Sequence, residues 1–139
     1  MLIKIVDTKI DIAAALDYVR DDSCGAVTVF EGNIRNVNEG ESVVELEYEV
    51  YEALFHKMVA LLIEEAQQRW QIVKVAVVQR IGLLQVGDAG IIICVSSGHR
   101  RDALDALSYL IEEFKKRVPV WKKERTVNSE KWINWVPQE

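Results

Sequence analysis

An unbroken apolar run, Ile91-Ile92-Ile93-Cys94-Val95, leads directly into Ser96-Ser97-Gly98-His99-Arg100-Arg101. The run reads as a strand and a helix begins where it ends, so strand and helix are joined with almost no linker. The far end of that helix leads to Pro119-Val120-Trp121-Lys122-Lys123-Glu124, which gathers basic side chains at both of its ends. From Arg100 to Arg125 eight Lys/Arg stand against five Asp/Glu, while the rest of this chain of formal net charge -5 carries nine against seventeen. A local reversal of sign on an acidic protein points to an anion site rather than to general solubility.

At 139 residues with 50% hydrophobic content, the chain is expected to form one domain over residues 1–139. No apolar run approaches the ~18 residues of a membrane span, and the amino terminus alternates apolar and charged residues, unlike a signal peptide. A soluble, cytoplasmic protein with no membrane partner is expected. Cys24 and Cys94 offer neither a disulfide framework nor a metal-binding spacing, so reduced thiols are expected, and no metal and no cofactor are implied. The acidic balance argues against nucleic acid, whose binding needs an extended basic surface. A small anionic ligand fits better.

Leu2 to Val6 reads as a strand and Asp11 to Arg20 as a helix. Ala26 to Phe30 is β-branched and strand-like, and Gly32 to Gly40 follows as a Gly- and Asn-rich loop that carries Arg35 just past a strand end. Val44 to Val50 alternates strictly, which turns its apolar face inward and Glu45, Glu47 and Glu49 outward to solvent. Ala53 to Trp70 is helical, with Leu54, Met58, Leu61, Leu62 and Ala66 as its stripe; His56 there has no second ligand at i+4. Ile72 to Val78 and Gly82 to Leu84 are extended, and Val86 to Gly90 turns into the strand that ends near Ser97. Ala103, Leu107, Leu110 and Phe114 form the inner stripe of the last helix, Pro119 stops it, and a small β-rich tail spans Trp121 to Trp135. The pattern gives an α+β fold, a mainly antiparallel sheet with helices against one face.

The turn Ser96-Ser97-Gly98 and the first N–H groups of the helix favour an anion, with His99 and Arg100 adding donors. Equally, Ser97 can cap the helix while the arginines are solvated. Lys115, Lys116 and Arg117 can offset the negative pole of the helix dipole. Trp121 to Glu124 sets an aromatic beside two amines and a carboxylate, or else forms an edge strand guarded by lysines.

Several ordered motifs bear on this choice. They are Phe30-Glu31-Gly32-Asn33-Ile34-Arg35, Leu46-Glu47-Tyr48-Glu49-Val50-Tyr51, Arg80-Ile81-Gly82 with Val86-Gly87-Asp88, and Ser97-Gly98-His99-Arg100; then Lys115, Pro119 to Glu124, and Trp132. Through them the chain resembles the MoaE family, the large, catalytic subunits of molybdopterin synthase. The resemblance implies an α/β-hammerhead type of fold with a small β-rich subdomain. It also implies a sulfurtransferase of molybdenum cofactor biosynthesis that converts cyclic pyranopterin monophosphate to the dithiolene of molybdopterin. Sulfur would come from a small ubiquitin-like subunit with a thiocarboxylate on a carboxy-terminal Gly-Gly tail.

Carried over residue by residue, the resemblance implies Lys115 and Lys122 as the catalytic pair. Asn33, Ile34, Arg35, His99, Arg100, Lys123 and Glu124 would hold substrate with them. Sulfur transfer builds negative charge beside a phosphate, and fixed cations in a water-poor cleft stabilise it. A lysine amine crowded by other cations can also move a proton. Two positions depart from the family pattern: Gln79 where many relatives have His, and Val136 in a tail without Lys/Arg after Lys131.

A continuous helix separates Arg100 from Lys115 by roughly 22 Å along its axis, too far for one bicyclic ligand. The expectation is a homodimer within a heterotetramer, in which His99 and Arg100 of one protomer complete the site holding Lys115 and Lys122 of the other. Two other readings remain: a dimeric sensor of a phosphorylated metabolite, and a structural partner of an acidic or ubiquitin-like protein.

Overall fold

The computed structural model describes residues 1–126 and, for the backbone alone, residues 130–133; Trp135 and Val136 of the tail lie outside the described residues. In chain order the elements are β1 (Leu2–Val6), α1 (Ile12–Val19), β2 (Ala26–Asn33), β3 (Val37–Asn38), β4 (Glu41–Glu49), α2 (Glu52–Arg69), β5 (Ile72–Arg80), β6 (Gly82–Gln85), β7 (Ala89–Ser97), α3 (Arg100–Arg117), β8 (Trp121–Thr126) and β9 (Glu130–Ile133). The larger sheet has the order β1-β5-β7-β2; only β1 and β5 run parallel.

Both faces of this sheet are covered. Along β5 and β7, Val75, Val77, Ile93 and Val95 pack beneath α2 and α3, while Ala76, Val78, Ile92 and Cys94 pack against Ala15 and Val19 of α1. The expectation of helices against one face is thus corrected. Two central strands apolar on alternate positions of both faces leave a second surface that water must be kept from.

Helix α2 corrects a second expectation. Its buried side chains are Phe55, Val59, Leu62, Ile63 and Ala66, whereas Leu54 and Leu61 are exposed. Two overlapping apolar stripes exist at helical spacing, and docking on the sheet selects the one that carries Phe55, whose ring meets Phe114 of α3 edge-on at 5.9 Å. Strand β2 runs on through Gly32 and Asn33, which the sequence pattern assigned to a loop. A Cβ on Gly32 would come within 2.7 Å of Ile91 Cγ2, so glycine here permits close strand packing rather than a turn.

In the smaller sheet β4 takes β3 and β6 on one edge and β8 on the other, with β9 beyond β8. The register against β8 shifts between Val43 and Glu45. That bulge leaves Val44 exposed and buries Glu45, so the three glutamates do not all face solvent as strict alternation predicts. Glu45 is paired with Arg125 and accepts from Gln85 Nε2 at 3.2 Å. The fold is α+β and mainly antiparallel, with a small β-rich subdomain; among the described residues no helix is long and apolar enough to cross a membrane.

Candidate active site

The Asn33-Ile34-Arg35 loop leaves the larger sheet where the β2–β7 register shifts between Gly32 and Asn33. It is hung on the 85–88 turn: the Ile34 amide donates to the Asp88 carbonyl, and the Gly87 amide donates to the Ile34 carbonyl, both at 2.9 Å. Gly87 has φ +91°, a left-handed conformation in which glycine is unstrained. The Asp88 carboxylate accepts from the Gln85 amide at 2.9 Å and pairs with Arg80 at 3.5 Å. The two motifs Arg80-Ile81-Gly82 and Val86-Gly87-Asp88 therefore act on the site as its support. Ile34 is buried with Leu46 and Leu84 and gives the loop an apolar anchor, while Asn33 and Arg35 are exposed.

Strand β8 faces this loop across a cleft of about 90 Å³ whose lining includes Asn33, Ile34, Arg35, Tyr48, Lys122 and Glu124. Pairing of Tyr48 with Lys122 and of Leu46 with Glu124 fixes the face: Lys122 and Glu124 share the inner side, and Lys123, opposite Glu47, takes the other. Glu124 is 5% exposed, and its Oε2 accepts from Asn38 Nδ2 at 2.9 Å. Burial pushes the Tyr48 phenol up from its ordinary value, so it stays protonated. The ring fits because residue 90 is glycine; a Cβ there would lie 2.9 Å from Tyr48 Cε2. Trp121 is 37% exposed and does not act as a buried aromatic.

The cleft unites Asn33, Ile34, Arg35, Lys122 and Glu124; it does not include His99, Arg100, Lys115 or Lys123. His99 and Arg100 are exposed at the start of α3, and Lys115 is exposed in its last turn. Ser97 does not cap this helix. Its hydroxyl donates to the His99 carbonyl, and His99, the N-cap residue, offers no side-chain bond to the first turn.

The basic residues at the other end of α3 have different fates. Arg117 makes a bidentate pair with Glu65, at 2.7 and 2.9 Å, and Tyr109 donates to the same carboxylate at 2.5 Å. These bonds, the one from Arg117 foremost, hold the Glu65 carboxyl at about 2, and the Arg117 guanidinium is raised in turn. Lys116 pairs with Glu113 at 3.6 Å. Among the described residues Lys115 and Lys122 make no ion pair. Cys94 is buried and its thiol is pushed up to about 11, which removes the thiolate a nucleophile needs.

Sequence pattern alone missed Asn38, because an Asn in a polar loop carries no sign of its distant partner. It also missed the wall position of Tyr48, although that residue sits in a quoted motif.

Residues 5–117 match the family described as MoaE protein. Over 133 residues the chain is 41% identical to an Arabidopsis thaliana protein named molybdopterin synthase catalytic subunit, covering 94% of this chain and 67% of the relative. A crystal structure of molybdopterin synthase from Staphylococcus aureus superposes with a TM-score of 0.88 at 37% identity, over 94% of this chain and 95% of that one. The fold also matches, with a TM-score of 0.79 at 22% identity and over 95% and 90% of the two chains, a complex of subunits 1 and 2 of molybdopterin-converting factor from Helicobacter pylori.

Proposed function

Because this chain belongs to the MoaE protein family, we propose that it is the catalytic subunit of a molybdopterin synthase, acting in molybdenum cofactor biosynthesis. Its reaction passes one sulfur from each of two thiocarboxylated small-subunit tails, of a ubiquitin-like carrier, to cyclic pyranopterin monophosphate, and water supplies the oxygen that leaves each carrier as a carboxylate. The observation that carries this reading is the cleft in which Arg35 and Lys122, which has no ion pair among the described residues, converge beside the buried Glu124. An anionic tail entering a cleft lined by two cations has its growing negative charge stabilised by groups already in place. Lys115 and Lys122 are the catalytic pair in this reading, with one amine available for proton transfer. His99 and Arg100, with Asn33, Ile34, Arg35, Lys123 and Glu124, hold the substrate.

The active unit is a homodimer within a heterotetramer. The continuous 18-residue helix α3 keeps its two basic ends apart within one protomer. Strand β2 supplies a route to a second copy: it is the edge of its sheet, with Val27 at 38% and Val29 at 42% exposure. Antiparallel pairing of two copies of β2 about Val29 would set the Ala26 end of one beside the Asn33 end of the other. Ala26 pairs with Ser97, two residues before His99, so this arrangement carries His99 and Arg100 toward the second protomer's Arg35. The protein would work in the cytoplasm.

Purified chain, thiocarboxylated small subunit and cyclic pyranopterin monophosphate should yield the dithiolene product. If both ligands bind and no product forms, the assignment fails. A mixture of His99→Ala and Lys115→Ala chains should regain part of the activity that each lacks alone. Mixed dimers without any regain would exclude a site shared between protomers.

A further inference from the structure

Asn38 lies 86 residues from Glu124 in sequence, yet among the described residues its side-chain amide is the hydrogen-bond donor to this buried carboxylate. A tight hairpin sets this placement. Strands β3 and β4 form a hairpin with Asn38 opposite Glu41, closed by Glu39 and Gly40 at φ 51° and 80°, the two left-handed residues of a tight primed turn. Asn38 and Glu124 line the same cleft as Arg35, Lys122 and Tyr48. Lys122 stands two residues from Glu124 on the same face of β8, but among the described residues Glu124 forms no ion pair with it or with Arg35.

We propose that Asn38 is a positioning residue of the active site: it tethers the Glu124 carboxylate so that it does not close onto Lys122, and thereby keeps that amine free for the anionic ligand. The inference rests on the reading of this cleft as the site of sulfur transfer. Without the tether, a buried carboxylate one strand-face step from an ammonium gains most by pairing with it.

The charged and titratable groups around Glu124 include Arg35, Lys122 and Tyr48 in the cleft and Lys131, opposite Glu124 in the β8–β9 register, with Glu41 across the hairpin from Asn38. Steady-state kinetics of the complete synthase, with thiocarboxylated small subunit and cyclic pyranopterin monophosphate, test the role. Asn38→Ala should lower kcat about tenfold, the kinetic equivalent of one charge-assisted hydrogen bond, while KM stays within about twofold. Asn38→Asp keeps the shape but sets two carboxylates together. It should be as slow as Asn38→Ala near about pH 8 and recover toward about pH 6, where the pair binds a proton and the hydrogen bond returns. Wild-type turnover with an unchanged kcat in Asn38→Ala overturns the proposal, as does an Asn38→Asp profile parallel to wild type. An inactive wild type that binds both ligands overturns the underlying assignment instead.

Discussion

The two sheets of this protein solve different problems. Through the middle of the larger sheet the buried side chains are apolar on both faces, Val75, Val77, Ile93 and Val95 on one and Ala76, Val78, Ile92 and Cys94 on the other. Among the described residues of the smaller sheet and its loop, Ile34, Leu46 and Leu84 form a small apolar cluster, Val43 is buried besides, and Glu45, Glu124 and Thr126 are buried as well. Apolar burial is non-directional and gives stability wherever volume is filled. Polar groups buried in a thin layer must instead be held by specific bonds, and those bonds fix their direction. The candidate site lies where the second rule operates, between a loop hung on a turn and a strand whose carboxylate is tethered. The loop leaves the larger sheet at the end of β2, while the strand, β8, belongs to the smaller one.

The largest effect should come from the support. Phe55→Ala removes a fully buried ring between α2 and α3 and should cost about 3–5 kcal/mol in denaturant unfolding. If it does not, the larger sheet is not the source of stability and the contrast fails. Lys122→Ala should do the reverse, lowering kcat by about 10²–10³-fold as a lost charge-stabilising donor does, with an unfolding midpoint close to wild type. A stability loss comparable to that of Phe55→Ala would make Lys122 a structural residue.

The smallest effect should be confined to acid. Glu65 is held at about 2 against an ordinary 4.5, first by Arg117 and then by Tyr109. Its contribution is full above its unfolded value and is lost as pH falls from about 4.5 toward about 2. Glu65→Gln should therefore flatten the acid limb of stability over that window in an acid titration followed by circular dichroism. Sulfur transfer at neutral pH should remain, since Glu65 joins α2 to α3 and does not line the cleft.

Much of the larger sheet is legible in the sequence because its signals are local. The run Ile91 to Val95 and the helix that follows it appear as β7 and α3, and Pro119 stands just past the end of α3. The failures are equally specific. Helix α2 carries two apolar stripes, and nothing within the helix says that Phe55 and Val59 turn inward rather than Leu54 and Leu61. Alternation from Val44 to Val50 cannot announce a bulge at Val43 and Glu45, because the bulge is defined by the partner strand. Helix α1 has no sheet face marked in the sequence; it packs on the second apolar face of β5 and β7.

The sequence by itself determined the order of the elements other than β3, the basic ends of α3 and the distance between them, since rise per residue follows from backbone geometry. It also marked Arg35 and Lys122, though 87 positions apart. Tertiary structure alone decided that these two share a cleft, that Asn38 tethers Glu124, and that Lys116 and Arg117 are engaged while Lys115 is left unpaired among the described residues. Periodicity of 2.0 or 3.6 encodes which face a side chain takes. Which distant face it meets is set by strand register and long-range packing, and these exist only once the chain has closed on itself.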